Sequence, residues 1–144
     1  MESTTMGRIL VTVKIENLKD VLDVQTGAIA PERVRAVEVT DALVETGASV
    51  LSIPKRLIDR LGIGPVRTRQ ARTSAGPVTL QMYGPVRATI MGRDHPTDVI
   101  ELPDDCPVLI GQLTLEALDF VIDMPNHRLI GNPAHGGEHI LDLY

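Results

Sequence analysis

The chain contains no Trp, one Phe and two Tyr, so it has no row of aromatic rings on which bases could stack. It is also short of positive charge: 14 Lys and Arg stand against 19 Asp and Glu, a formal net charge of -5. Phosphate binding needs clustered cations, and the two shortages together argue against a nucleic-acid partner. The densest basic group, Arg67, Arg69 and Arg72, alternates with small polar residues and reads as one face of an exposed strand. Cysteine is almost missing too. Cys106 stands alone, which excludes an intrachain disulfide, and in Asp104-Asp105-Cys106-Pro107 two carboxylates disfavour its thiolate. A reducing, cytoplasmic location is the expectation. No apolar run approaches the length of a membrane-spanning helix, and Met1-Glu2-Ser3-Thr4-Thr5 lacks the make-up of a signal peptide, so no membrane partner is expected.

What the chain has in quantity is Val, Ile and Leu, cut into short pieces by ten Pro and twelve Gly. Its 144 residues are enough for one real core and too few for two, so 1–144 reads as a single domain. Arg8 to Glu16 alternates, with Ile9, Val11, Val13 and Ile15 on one face. Asn17 to Pro31 is less regular, with a turn near Gln25-Thr26-Gly27. Strands are expected at Arg33 to Val39 and at Ala42-Leu43-Val44. Pro54 to Leu61 reads as a helix: proline suits the first turn, Leu57, Ile58 and Leu61 share a face, and Gly62 terminates it.

Further along, Thr68 to Thr73 and Val78 to Met82 read as strands joined by a turn at Ser74-Ala75-Gly76-Pro77. Pro85 to Met91 reads as another strand, followed by a polar loop. Val99 to Leu102 and Val108 to Gly111 are apolar, a short helix runs on through Leu118, and Phe120 to Asp123 pairs with Arg128 to Ile130 as a second hairpin. The tail from Gly131 is rich in Gly, Pro and His and reads as irregular. Many short strands with one or two short helices indicate an all-β, barrel-like domain.

One stretch carries chemistry. Val44-Glu45-Thr46-Gly47-Ala48-Ser49 sets a carboxylate at the end of an apolar strand, followed by small residues. An ionised carboxylate in apolar surroundings must find partners or give up its charge, so its presence there asks for a use. The pattern resembles the active-site loop of retropepsin-like aspartic proteases, which read Asp-Thr/Ser-Gly-Ala/Ser at this point; here Glu stands for Asp. The order of the surrounding segments is similar as well. An apolar strand leads into the loop, Val50-Leu51 and the Pro54 helix follow, and Gln70 to Met82 stands where the family has a flap. Val108-Leu109-Ile110-Gly111 stands where the family passes beneath the loop, before a helix and a closing hairpin.

The resemblance implies a closed acid-protease barrel, with a core of about 33–131 and a tail of 132–144. It implies Glu45, Thr46 and Gly47 as catalytic residues, and Ala48, Ser49, Ser74, Ala75 and Gly76 as substrate-binding residues. In that family two carboxyls share one proton across a twofold axis, which splits their affinities for it. One loop per chain therefore implies a homodimer acting on a peptide or protein substrate, with no cofactor and no metal. Thr46 would lock the two loops, and Gly47 would allow close backbone approach. The longer Glu implies weakened hydrolysis, and a non-catalytic peptide-binding dimer is the alternative.

His135-Gly136-Gly137-Glu138-His139 has the spacing of an inverted zinc-protease motif, but that spacing works only on a helix, which Pro133 and two glycines oppose. Asp123 is followed by Met-Pro rather than Thr-Gly and reads as a hairpin residue.

Overall fold

A computed structural model describes residues 8–143. The expectation of no signal peptide at Met1–Thr5 lies outside the described residues. The first strand, β1 (Leu10–Asn17), is followed by helix α1 (Leu18–Gln25) and a single 3-10 turn at Pro31–Arg33. Then come β2 (Ala36–Val44), β3 (Ser52–Pro54), α2 (Lys55–Leu61), β4 (Gly64–Thr73), β5 (Gly76–Ile90) and β6 (Arg93–Leu102). The chain closes with β7 (Leu109–Ile110), α3 (Gln112–Ala117), β8 (Phe120–Asp123), β9 (Arg128–Gly131) and a 3-10 turn at Pro133–His135.

The expected all-β barrel is present: 48% of the chain is strand, with three short α-helices among the described residues. Strands pair in the order β1-β2-β7-β3-β6-β5, and β5 returns to β1 to close the ring. β4 stays outside the ring, bonded only to β5, and β8 and β9 form a separate pair. Closure follows from the register. Lys14, Ile15 and Glu16 face Glu38, Val37 and Ala36 of β2 on one side and Thr89, Ala88 and Arg87 of β5 on the other.

Alternation places the core. Val13 and Ile15 of β1, Val86, Ala88 and Ile90 of β5, and Val99 of β6 are fully buried inside the ring. Burying each such side chain contributes about 1.5–3 kcal/mol, and branched aliphatics do here what aromatics do elsewhere. The core therefore reaches N-terminal to the 33–131 stretch. Phe120 is its one Phe, and the Arg93 guanidinium stacks 4.5 Å from the ring centroid while donating to the Leu118, Asp119 and Gly137 carbonyls.

The helix after β3 behaves as its sequence suggests. α2 starts after Pro54, buries Leu57, Ile58 and Leu61, and ends at Gly62 with φ 66 in the left-handed region. Four expectations need correction. Leu18–Gln25 is helical, not irregular: the Asn17 side chain caps it by accepting from the Asp20 N–H at 3.1 Å. The Asp20 carboxylate in turn accepts from the Arg35 N–H, Nε and Nη2 at 2.9–3.0 Å, which holds its pKa down to about 2 and ties α1 to the start of β2. The two strands expected at 33–44 are one, β2.

The polar loop expected after Met91 is strand. β5 turns directly at Met91-Gly92, both with positive φ, into β6. Residues 93–98 are polar because they pair with β5 on one side while β3 reaches only residues 100–102 on the other. An open edge of that kind tolerates Pro96 and water alike. Finally, Arg67, Arg69 and Arg72 do not share a face. Arg67 lies opposite Met82 and Arg69 opposite Leu80, whereas Arg72 faces Pro77 from the other side of the β4–β5 hairpin.

No helix among the described residues is long and apolar enough to cross a membrane.

Candidate functional site

The acidic loop begins where β2 stops. Val44 pairs in parallel with Ile110 of β7, and the Glu45 N–H donates to the Ile110 carbonyl at 2.9 Å. The chain then turns tightly, with the Ala48 N–H bonded to the Glu45 carbonyl at 3.0 Å. Glu45, Thr46, Gly47 and Ser49 are exposed and Ala48 is half-buried, so the carboxylate does not lie in the apolar surroundings expected for it. The Glu45 carboxylate curls back so that Oε1 accepts from the Gly47 N–H at 3.1 Å. One carboxylate oxygen is thus tethered to the loop's own backbone, and the other remains available.

The loop is bolted to α3. A helix start leaves several N–H groups without intrahelical partners, and here the loop supplies the acceptors. The Gln112 N–H donates to the Ala48 carbonyl at 3.0 Å, and the Leu113 N–H to the Ser49 carbonyl at 2.9 Å. Gly111 makes this possible: a Cβ there would sit 2.2 Å from the Ser49 carbonyl oxygen and 2.9 Å from the Ala48 carbonyl carbon. At Gly47, by contrast, a Cβ would meet only Glu45 Oε1, at 3.3 Å. Within one chain the close approach expected at Gly47 belongs to Gly111.

Across a cleft from Ser49 and Val50 stands the β4–β5 hairpin. Its two-residue tip, Ser74-Ala75, is exposed, and Gly76 opens β5 with φ 112. Thr73 Oγ1 stiffens the tip by donating to the Gly76 carbonyl at 2.8 Å and accepting from the Ala75 N–H at 3.2 Å. At the hairpin's base Tyr83 donates to Glu101 Oε1 at 2.9 Å. That bond to a carboxylate favours the protonated phenol and raises its pKa.

Between hairpin and loop lies a cleft of about 190 Å³. Its walls are Ser49 and Val50 beside the loop, Arg69, Gln70, Ala71, Leu80 and Met82 from the hairpin, Ile100 from β6 and Leu113 from α3. Of the expected site residues only Ser49 lines it. Glu45, Thr46, Gly47 and Ala48 sit on the adjoining loop, and Ser74, Ala75 and Gly76 on the hairpin tip. Two-residue alternation puts Arg69, Ala71, Leu80 and Met82 on one face of the hairpin, while Gln70 between them also lines the cleft. Larger cavities, of about 530, 430 and 260 Å³, include no residue of the acidic loop or of the paired hairpin arms at 64–84. In the second, the charged groups Lys14, Glu16 and Arg87 already satisfy one another.

The remaining candidates have structural roles. Asp123 Oδ2 accepts from Asn126 and Arg128 across the β8–β9 turn. His135 to His139 is not helical, with Gly136 and Gly137 at φ 65 and 79. His135 Nδ1 lies 2.6 Å from Asp119 Oδ2 and Nε2 lies 2.9 Å from Asp142 Oδ2, while His139 turns to the Ala117 carbonyl. The two carboxylates favour the imidazolium and raise the His135 pKa, and Asp119 is lowered to about 2. Among the described residues no three His, Cys, Asp or Glu side chains are grouped to hold a metal.

Comparison with models of known protein families finds none that matches this chain, and comparison with curated proteins finds no significant match.

Proposed function

We propose that two copies of this chain join about a twofold axis as a retropepsin-like, aspartic-type endopeptidase, slowed by Glu in place of Asp. The observation that carries this reading is the Glu45 loop: an exposed carboxylate at a barrel-strand end, tethered by the Gly47 N–H and bolted to Gly111–Leu113, beside a cleft walled by a hairpin. In this reading one Glu45 takes a proton from water as the water oxygen attacks the peptide carbonyl carbon. Glu45 of the second copy gives its proton to the carbonyl oxygen. Collapse of the tetrahedral intermediate breaks the C–N bond, and the departing nitrogen takes up a proton.

The extra methylene sets the rate. It extends the carboxyl by about 1.5 Å, against dyad separations of about 3 Å. A misplacement of about 1 Å lowers rate by roughly a hundredfold. Glu45→Asp is therefore expected to raise cleavage of a broad peptide library at acidic pH, and Glu45→Ala to abolish it. A pure Glu45→Asp dimer that leaves the whole library intact would defeat the peptidase reading.

A second reading has its own support: Glu45 Oε1 is already engaged by Gly47 within the chain. A non-catalytic dimer would bind extended peptides beneath the hairpin without turnover. Peptide binding by Glu45→Asp without any product selects it. A monomeric chain that binds no peptide defeats both.

A further inference from the structure

We propose that the cleft selects peptides carrying an apolar side chain with an acidic residue two positions away, and that Arg69 makes the selection. This rests on the reading of the cleft as a peptide site and adds the class of peptide it takes.

The cleft is small, with one apolar side and with Ser49, Arg69 and Gln70 as its polar lining. Val50, Leu80, Met82, Ile100 and Leu113 line it, and Leu113 is 53% exposed although it is large and aliphatic. Its volume of about 190 Å³ is below the roughly 300–1,000 Å³ of sites that enclose whole small molecules, and it suits one aliphatic side chain. Arg69 is the one charged residue in its lining. Among the described residues Arg69 makes no ion pair, whereas Arg67, two residues away on the same face, is already paired with Asp98. Arg72 points to the opposite face. Thus one unneutralised guanidinium stands beside the apolar side of the cleft, on a strand whose outer edge is unpaired among the described residues.

An extended peptide laid along that wall presents residues i and i+2 to the same side. With residue i in the pocket, the side chain facing Arg69 is two positions along. A guanidinium there favours a carboxylate, which it meets in a forked geometry, and disfavours Lys or Arg by like-charge repulsion.

The test is fluorescence anisotropy on the full chain with short labelled peptides built on Leu-Ala-Glu and Glu-Ala-Leu, against the same peptides with Gln or Lys for Glu. The Glu peptides are expected to bind about three- to tenfold tighter than the Lys peptides, a gap that narrows as salt rises. Arg69→Gln should reduce the gap to less than about twofold, and Arg69→Glu should reverse it. Arg69 lies exposed on an outer strand, so both variants keep the barrel; circular dichroism verifies this. Binding that ignores the charge, or a preference unchanged in Arg69→Glu, overturns the assignment of Arg69 while leaving the peptide site intact. Failure of every peptide to bind overturns the peptide site itself, and the selection with it.

Discussion

Replacing Gly111 by Ala is the sharpest probe of how the acidic loop is held. The new methyl would lie 2.2 Å from the Ser49 carbonyl oxygen, and ordinary contact begins near 3.4 Å. The loop must therefore withdraw by about 1.2 Å, or the start of α3 must move by as much. Either shift stretches the bonds from the Gln112 and Leu113 N–H groups, now 3.0 and 2.9 Å, to about 4 Å, beyond hydrogen-bonding range. Two lost bonds cost about 1–3 kcal/mol, and disturbing Thr114 and Leu115, both buried in α3, brings the total to about 2–4 kcal/mol. Urea unfolding followed by circular dichroism should show the midpoint lowered by about 1–2 M. Gly47→Ala is the matched control. Its methyl meets only a movable carboxylate oxygen, so the isolated fold should lose less than about 1 kcal/mol, whereas sedimentation should report a weaker form of the proposed dimer. A Gly111→Ala protein with the parent's urea midpoint would refute this account of the loop.

Asp20→Asn keeps the shape of the side chain but removes the charge facing three Arg35 donors, and should lower stability by about 1–3 kcal/mol in the same assay. The pH dependence has two limbs of opposite sign. Asp20 and Asp119, both lowered to about 2, contribute stability that is complete above ordinary carboxylate values near 3.8 and is lost as pH falls toward 2. His135 is raised above 6.5, so its contribution is complete below 6.5 and disappears as pH rises through the folded value. Because Asp119 Oδ2 also accepts from the Ile140 N–H at 3.2 Å, hydrogen exchange at Ile140 should lose protection, beyond the intrinsic base-catalysed increase, on the alkaline side of that window. Unchanged protection there, or in His135→Ala, would contradict the clasp formed by Asp119, His135 and Asp142.

Much of the barrel was legible because its strands are half-buried and alternate cleanly. Val13 and Ile15, or Leu80 and Met82, announce their faces directly. The α2 helix was equally plain, since its apolar residues recur at helical spacing between a proline and a glycine. The misreadings share a physical cause: polar residues performing structural work. Asn17 and Asp20 form an N-terminal cap three residues apart, a signal that was present at the start of α1 but is easily passed over among Lys19 and Asp23. Arg93 to Asp98 look like a loop only if a strand is assumed to need two neighbours. In the candidate site, the Glu45 turn was visible as a sequence pattern, whereas the cleft was not. Its walls come from residues as distant as Ser49, Arg69, Ile100 and Leu113, which only the closed ring brings together.

β5 has a consequence for how the hairpin side of the cleft can change. Its fifteen residues form one strand from the hairpin tip to the barrel wall, with a register shift between Tyr83 and Val86, and Val86 to Thr89 are held by both β1 and β6. The hairpin is a cantilever sharing its strand with the barrel wall, so its deflection is taken up first at the irregular rung between Tyr83 and Val86. Extra residues are best accommodated at the free end, between Ser74 and Ala75. Near Tyr83, where the cantilever enters its mounting, the same insertion would shift every later rung of the ladder and turn the fully buried Val86, Ala88 and Ile90 outward.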